Sequence, residues 1–265
     1  MKIWKSNSFL FLFIFFFLTS NISNCQLVNV EKRRQRIQDT LIGAVGISAN
    51  ILKNTKDVIL INGNLSIDWN FRNTTFLLYS ELSYNKVNDE ILVNDSYQHL
   101  RYNYRFSQIN FMTLEFFGQN QFNMIKLLEH RNIAGGGFRL GLFDKEKFYL
   151  YFSPLFMFER EVLSDGLHTI NRRFKGDFYI SMGFYVNQVF KVSHVTYYQP
   201  NIYKFQEFRI MSETSLSFKI LKNIAFSFDF SVSYDSHPPI DYKLENPAAI
   251  PKLFYIAKNG FLFNF

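Results

Sequence analysis

An all-β fold, a transmembrane antiparallel β-barrel of about twelve strands, is what this sequence predicts, and three observations predict it. Apolar and polar residues alternate along most of the chain with the period of two that a strand imposes. No stretch after Leu18 is apolar enough to cross a bilayer as a helix, so a membrane-embedded chain must satisfy its backbone hydrogen bonds by closing strands into a barrel. The chain ends on Phe261, Phe263 and Phe265, alternate aromatics in the pattern by which barrels present a last strand for insertion.

At the other end, Lys2 and Lys5 precede an apolar run from Phe9 to Leu18 and a polar stretch from Thr19 to Cys25. That order is a secretory signal peptide, and the run falls short of the roughly 20 apolar residues a membrane helix needs. Cleavage is expected after Cys25, giving residues 1–25 as signal, 26–40 as a periplasmic leader and 41–265 as the barrel. The mature chain then begins at Gln26 without cysteine, so neither disulfides nor thiol chemistry contribute. The formal charge of +7 loses Lys2 and Lys5 with the signal, and 7 − 2 = +5 is too small an excess to imply a nucleic-acid partner in an exported chain. Hydrophobic residues make up 48% and aromatics 19%, with 33 Phe and 15 Tyr. Mean hydropathy is nevertheless only −0.07, which suits strands with one oily and one wet face.

Strands are expected near 41–51, 57–69, 75–85, 97–106, 110–120, 132–142, 147–159, 174–186, 189–199, 206–220, 223–235 and 252–265. Most reach the roughly 9 to 11 residues a tilted membrane strand requires. The cleanest sets Ile224, Phe226, Phe228, Phe230, Val232 and Tyr234 against Ala225, Ser227, Asp229, Ser231, Ser233 and Asp235. The ninth is the worst, since an outward Phe190 and Val192 carry His194 outward too, a conflict that a local bulge or a different strand boundary would relieve. Short connections are expected around 70–74, 107–109, 143–146, 187–188 and 221–222, and long ones at 86–96, 121–131, 160–173 and 236–251. Sorting short turns to one rim and long loops to the other is the habit of bacterial barrels.

If the apolar positions face lipid, the alternate positions face the lumen. Acids there are Asp68, Glu81, Glu115, Glu159, Asp177, Glu207, Glu213 and Asp229, and bases are Arg101, Arg105, Arg139, Lys191, Arg209, Lys219 and Lys258. Antiparallel register is expected to bring Glu81 to Arg101, Arg101 to Glu115 and Arg139 toward Glu115, a polar network of near-balanced sign. Such a network fills and stabilises the lumen, or forms a constriction that filters a small solute. Catalysis is not expected. Ser193 and His194 are adjacent on a strand and point to opposite faces, so they do not make a nucleophile and base. His99 has no serine or acid placed beside it, no metal-ligand spacing is present, and Gly135, Gly136 and Gly137 lie within a strand pattern, where they permit curvature or close packing. No cofactor is called for.

The segment Ser233, Tyr234, Asp235, Ser236, His237, Pro238, Pro239, ending the penultimate strand, with the aromatic strands from Gly43 to Phe265, resembles the salt-induced outer-membrane protein family of Gram-negative bacteria. Asn246 to Pro251 read as an insertion relative to that family's last loop. The resemblance implies an outer-membrane location and leaves activity unassigned. The expected role is structural or that of a narrow channel, with a membrane-embedded lipid hydrolase or a surface-loop binding protein as alternatives. Expected partners are outer-membrane lipid and, through the C-terminal strand, the barrel-insertion machinery.

Overall fold

A computed structural model describes residues 41–53, 57–109, 111–145, 147–185, 189–221 and 224–263. The expected signal peptide and leader lie outside these residues, as does Phe265. Twelve long strands follow one another, β1 (Leu41–Lys53), β2 (Asp57–Phe71), β3 (Thr74–Val87), β4 (Glu90–Arg105), β5 (Met112–Asn123) and β6 (Leu128–Asp144), then β7 (Phe148–Leu163), β8 (Ile170–Tyr185), β9 (Phe190–Asn201), β10 (Lys204–Leu221), β11 (Ile224–Asp235) and β14 (Leu253–Phe263). Two short strands, β12 (Ile240–Asp241) and β13 (Ala248–Ala249), pair within the connection between β11 and β14. The twelve form one antiparallel sheet in chain order. Among the described residues no ladder joins β1 to β14, and the sheet is open at that seam. It curls far enough, however, to bring Lys258 of β14 within 3.9 Å of Glu81 on β3.

Hydrophobicity is inverted relative to a water-soluble core. Glu115 and Glu159 are 0% exposed and Arg139 1%, whereas Phe116 is 49%, Phe156 59% and Phe174 50% exposed. Strand alternation produces this directly, because successive side chains leave opposite faces of the sheet. Water as solvent on both sides would make that arrangement costly; hydrocarbon outside and a polar interior make it favourable. The outward apolar face has a definable edge. Leu100, Gly118, Ala134, Phe158 and Phe174 stand side by side across β4 to β8, and the next outward row is Gln98, Asn120, Asn132, Arg160 and Arg172. Within that polar row the Asn120 amide donates to Asn132 Oδ1 at 2.7 Å.

The loop expectation needs correction. In place of long loops at 86–96, 121–131 and 160–173, the connections are only 88–89, 124–127 and 164–169, and 236–252 alone is long on that rim. On the rim that carries the termini, 106–111 is as long as 164–169. The polar outward residues that suggested loops lie on strands that continue beyond the apolar belt, since ladder hydrogen bonds do not require an oily outer face. The ninth strand keeps its register at His194, which pairs with Met182 and Thr214, so no bulge turns it inward. On β6, a Cβ on Gly135 would lie 2.6 Å from the Phe156 carbonyl oxygen and one on Gly137 2.5 Å from that of Pro154. A Cβ on Gly136 would meet the Phe116 ring at 2.5 Å, so these glycines serve close approach of strands and rings.

Candidate functional site

The interior faces of β4 to β11 assemble two connected groups of charges. Nearer the rim opposite the termini, Glu159 and Glu161 project inward from β7. Arg131 on β6 reaches Glu159 at 2.5 Å through Nη2, Lys175 on β8 reaches it at 2.6 Å, and Arg209 on β10 at 3.1 Å. Glu161 takes Arg209 Nη2 at 2.6 Å and Arg173 Nη1 at 2.8 Å. Arg209 is consumed entirely, because its Nε also donates to Asp235 on β11 at 2.6 Å. Glu207, 3.8 Å from Arg173, completes four acids against four bases. Arg209 and Glu159 stand on strands separated by β8 and β9, so these contacts cross the interior instead of following the sheet.

The second group lies deeper. Arg101 Nη1 is 3.2 Å from Glu115 Oε1, and the Tyr179 hydroxyl donates to Glu115 Oε2 at 2.9 Å from across the interior. Arg101 Nε donates to His99 Nε2 at 3.3 Å, and Gln199 donates to Asp177 at 2.8 Å. The guanidinium of Arg139 covers the Tyr151 ring at 3.9 Å. Its backbone partner is Thr113, one inward position from Glu115, which faces Gly137. Glu81 stands apart from the arrangement expected for it. It faces Tyr97 while Arg101 faces Leu77, and its carboxylate accepts the Tyr79 hydroxyl at 2.8 Å beside Lys258. Phe261 and Phe263 belong to β14, opposite Phe226 and Ile224.

Arg131, Glu161, Arg173, Lys175 and Asp235 were not among the residues expected in the lumen. Reading 121–131 and 160–173 as loops hid three of them. Their signal was parity: Arg173, Lys175 and Asp177 alternate as Glu159 and Glu161 do.

Chemically, the network holds its carboxylates against cations, hydroxyls and, at Asp177, the Gln199 amide, a state that suits cohesion. Among the described residues no three His, Cys, Asp or Glu side chains are grouped to hold a metal ion. His194 and Ser193 do point to opposite faces, and His194 instead meets Thr214 Oγ1 at 2.8 Å and Thr196 Oγ1 at 2.9 Å on the outer surface.

The family model described as "Protein of unknown function, DUF481" matches residues 45–245, more than half of the 265. No curated protein sequence matches the chain. Among solved structures, a NanC porin is similar with a TM-score of 0.46 and 10% identity, over 85% of this chain and 99% of that one. A bacterial polysaccharide outer membrane secretin is similar with a TM-score of 0.44 and 8% identity, over 86% of this chain and 91% of that one.

Proposed function

We propose, from the premise that this chain belongs to the DUF481 family of proteins of unknown function, that it is an outer-membrane β-barrel with a structural or narrow-channel role and no catalytic activity. One observation carries the reading: fully buried Glu115, Glu159 and Arg139 lie inside a wall whose outward rows are Phe, Leu and Ile. Lipid is the environment that stabilises such a wall, and outer membranes are where strands serve as spans. The paired charges of β7 and β10 meet across the interior, which supports a narrow passage and a network whose first duty is to hold opposite walls together. Membrane lipid and the barrel-insertion machinery are the partners this role requires.

The test is fractionation of cells producing the full chain, followed by reconstitution in planar bilayers. We expect recovery in the outer membrane, heat-modifiable migration, and small conductance or none. Arg101→Ala should unfold more easily, with Glu115→Gln recovering part of the loss. A large, steady open-channel current from the wild-type protein would overturn the filled-lumen reading, and recovery outside the outer membrane would overturn the location.

A further inference from the structure

Arg160 on β7 and Arg172 on β8 are backbone partners on the outward face, in the polar row just above the edge of the apolar belt. Side chains directly opposite on one face stand about 5 Å apart at Cβ, so two like charges confront each other. Arg172 is exposed and Arg160 half-buried, and neither guanidinium makes a side-chain hydrogen bond or an ion pair among the described residues. The chain offers them no counter-charge. Their outward neighbours are Val162 and Ile170 one position up and Phe158 and Phe174 one position down, and the row continues on β6 with Asn132. Asn132 Oδ1 is taken by the Asn120 amide at 2.7 Å, so what Asn132 has left to offer is its own N–H groups. At the same rim Glu129 lies 3.1 Å from His168, and Glu207 lies 3.3 Å from Lys204 and 3.8 Å from Arg173. Below the two arginines, the rings of Phe158 and Phe174 stand 5.1 Å apart and exposed.

We propose that Arg160 and Arg172 bind the phosphate of a membrane lipid, with Asn132 as a further donor and the lipid's acyl chains against Phe158 and Phe174. The site rests on the outer-membrane reading above and gives the outer surface of that barrel a ligand class. Like charges directly opposite on a sheet destabilise it, and an anion held between them reverses the sign of the interaction. Phosphate suits the pair better than carboxylate, because its oxygens take paired N–H groups from two guanidiniums at once. Height selects a lipid over a free ion. One outward position is about 7 Å of strand, so the arginines stand a headgroup's depth above rings that face hydrocarbon, and basic side chains at that depth recognise anionic headgroups. A free phosphate would gain nothing from the two rings.

The experiment titrates the full chain, in micelles of an uncharged detergent, with dioctanoyl phosphatidic acid, and native mass spectrometry counts the lipid retained. Dioctanoylglycerol, which has the same chains and no phosphate, should be retained about tenfold less, and excess inorganic phosphate should not displace the phosphatidic acid. Arg160→Gln with Arg172→Gln should lower retention about tenfold. Arg160→Glu should abolish it while raising the urea midpoint slightly, because a carboxylate then faces Arg172; this variant decides the matter if the glutamine pair does not fold. Heat-modifiable migration shows which proteins are folded barrels. Equal retention of the two lipids by the folded wild type, displacement by inorganic phosphate, or unchanged retention in a folded variant would each overturn the lipid site and leave the barrel standing. A wild-type chain without heat-modifiable migration would overturn the barrel and the site with it.

Discussion

Arg209 on β10 donates through Nη2 to Oε1 of Glu161 on β7 at 2.6 Å, spanning the interior between strands that are not neighbours in the sheet. The same guanidinium holds Glu159 and Asp235, so one cation bridges three carboxylates on two strands, sharing Glu159 with Arg131 and Lys175 and Glu161 with Arg173. Arg209→Ala should therefore destabilise the barrel by ~3–5 kcal/mol, the cost of stranding buried partners. Urea unfolding in liposomes measures it. Adding Glu161→Gln should restore part of the loss, and a single variant as stable as the wild type would mean that these contacts do not hold the walls together.

His194 gives the second prediction. Its ring bonds to Thr196 and Thr214, and Thr196 in turn meets Ser212 at 3.1 Å, within an outward surface bounded along β9 and β10 by Phe190, Phe218 and Tyr198. In hydrocarbon these groups have only one another. His194→Leu should cost about 1–2 kcal/mol, because hydroxyls lose their partner with no water to replace it. Converting Thr196 and Thr214 to Val in the same chain should recover most of it. Unfolding midpoints of the three proteins decide the point, and a single variant more stable than the wild type would argue that water reaches this surface.

The third concerns pH at the β7–β8 turn. Burial opposes ionisation of Asp165, but the Thr169 hydroxyl and the N–H groups of Thr169 and Leu167 outweigh it and hold the carboxyl below its ordinary value. A depressed folded value means that the carboxylate's contribution is complete above the unfolded value, about 3.9, and is lost as pH falls through the folded one. Protection of the Leu167 and Thr169 amides, measured against their intrinsic exchange rates, should therefore fall below pH ~4 more steeply in the wild type than in Asp165→Asn, which should be less protected at neutral pH. Equal acid dependence in both proteins would remove Asp165 as the cause.

The fourth rests on the chain's final aromatic. Phe265→Ser should lower the amount of folded, heat-modifiable protein in the outer membrane while leaving unfolding of the assembled fraction nearly unchanged. Immunoblots of membrane fractions measure the first and urea titration the second. Wild-type levels in the variant would deny the terminal residues a role in insertion.

Period two made all twelve long strands legible, even β9, where His194 broke the hydropathy pattern without breaking the ladder. Strand ends were less legible. An outward Asn94 or Arg160 reads as loop when membrane thickness is the guide, yet these strands outrun the apolar belt and stay paired. The same limit governed the charges. Arg101 and Glu115 lie on adjacent strands joined by a six-residue connection, so register alone placed them together. Arg209 and Glu159 lie on strands separated by two others, and only the curvature of the sheet brings them into contact. The displacement of Glu81 shows how far a register error carries, since its place opposite Tyr97 is two inward positions from Arg101.

Gly135, Gly136 and Gly137 constrain the order in which this sequence can drift. For three residues β6 offers no side chain, and the Phe116 and Phe117 rings occupy space where two of the missing Cβ atoms would stand. A Cβ at Gly136 collides with the Phe116 ring at 2.5 Å and lies 3.0 Å from the Glu115 carbonyl oxygen, so only the larger clash is removed when the half-exposed ring is first replaced by something smaller. Ring first, glycine second is therefore the passable route at Gly136. At Gly137 the obstacle is the Pro154 carbonyl oxygen, which no single side-chain replacement removes, so that position should remain glycine in descendants long after Gly136 has varied.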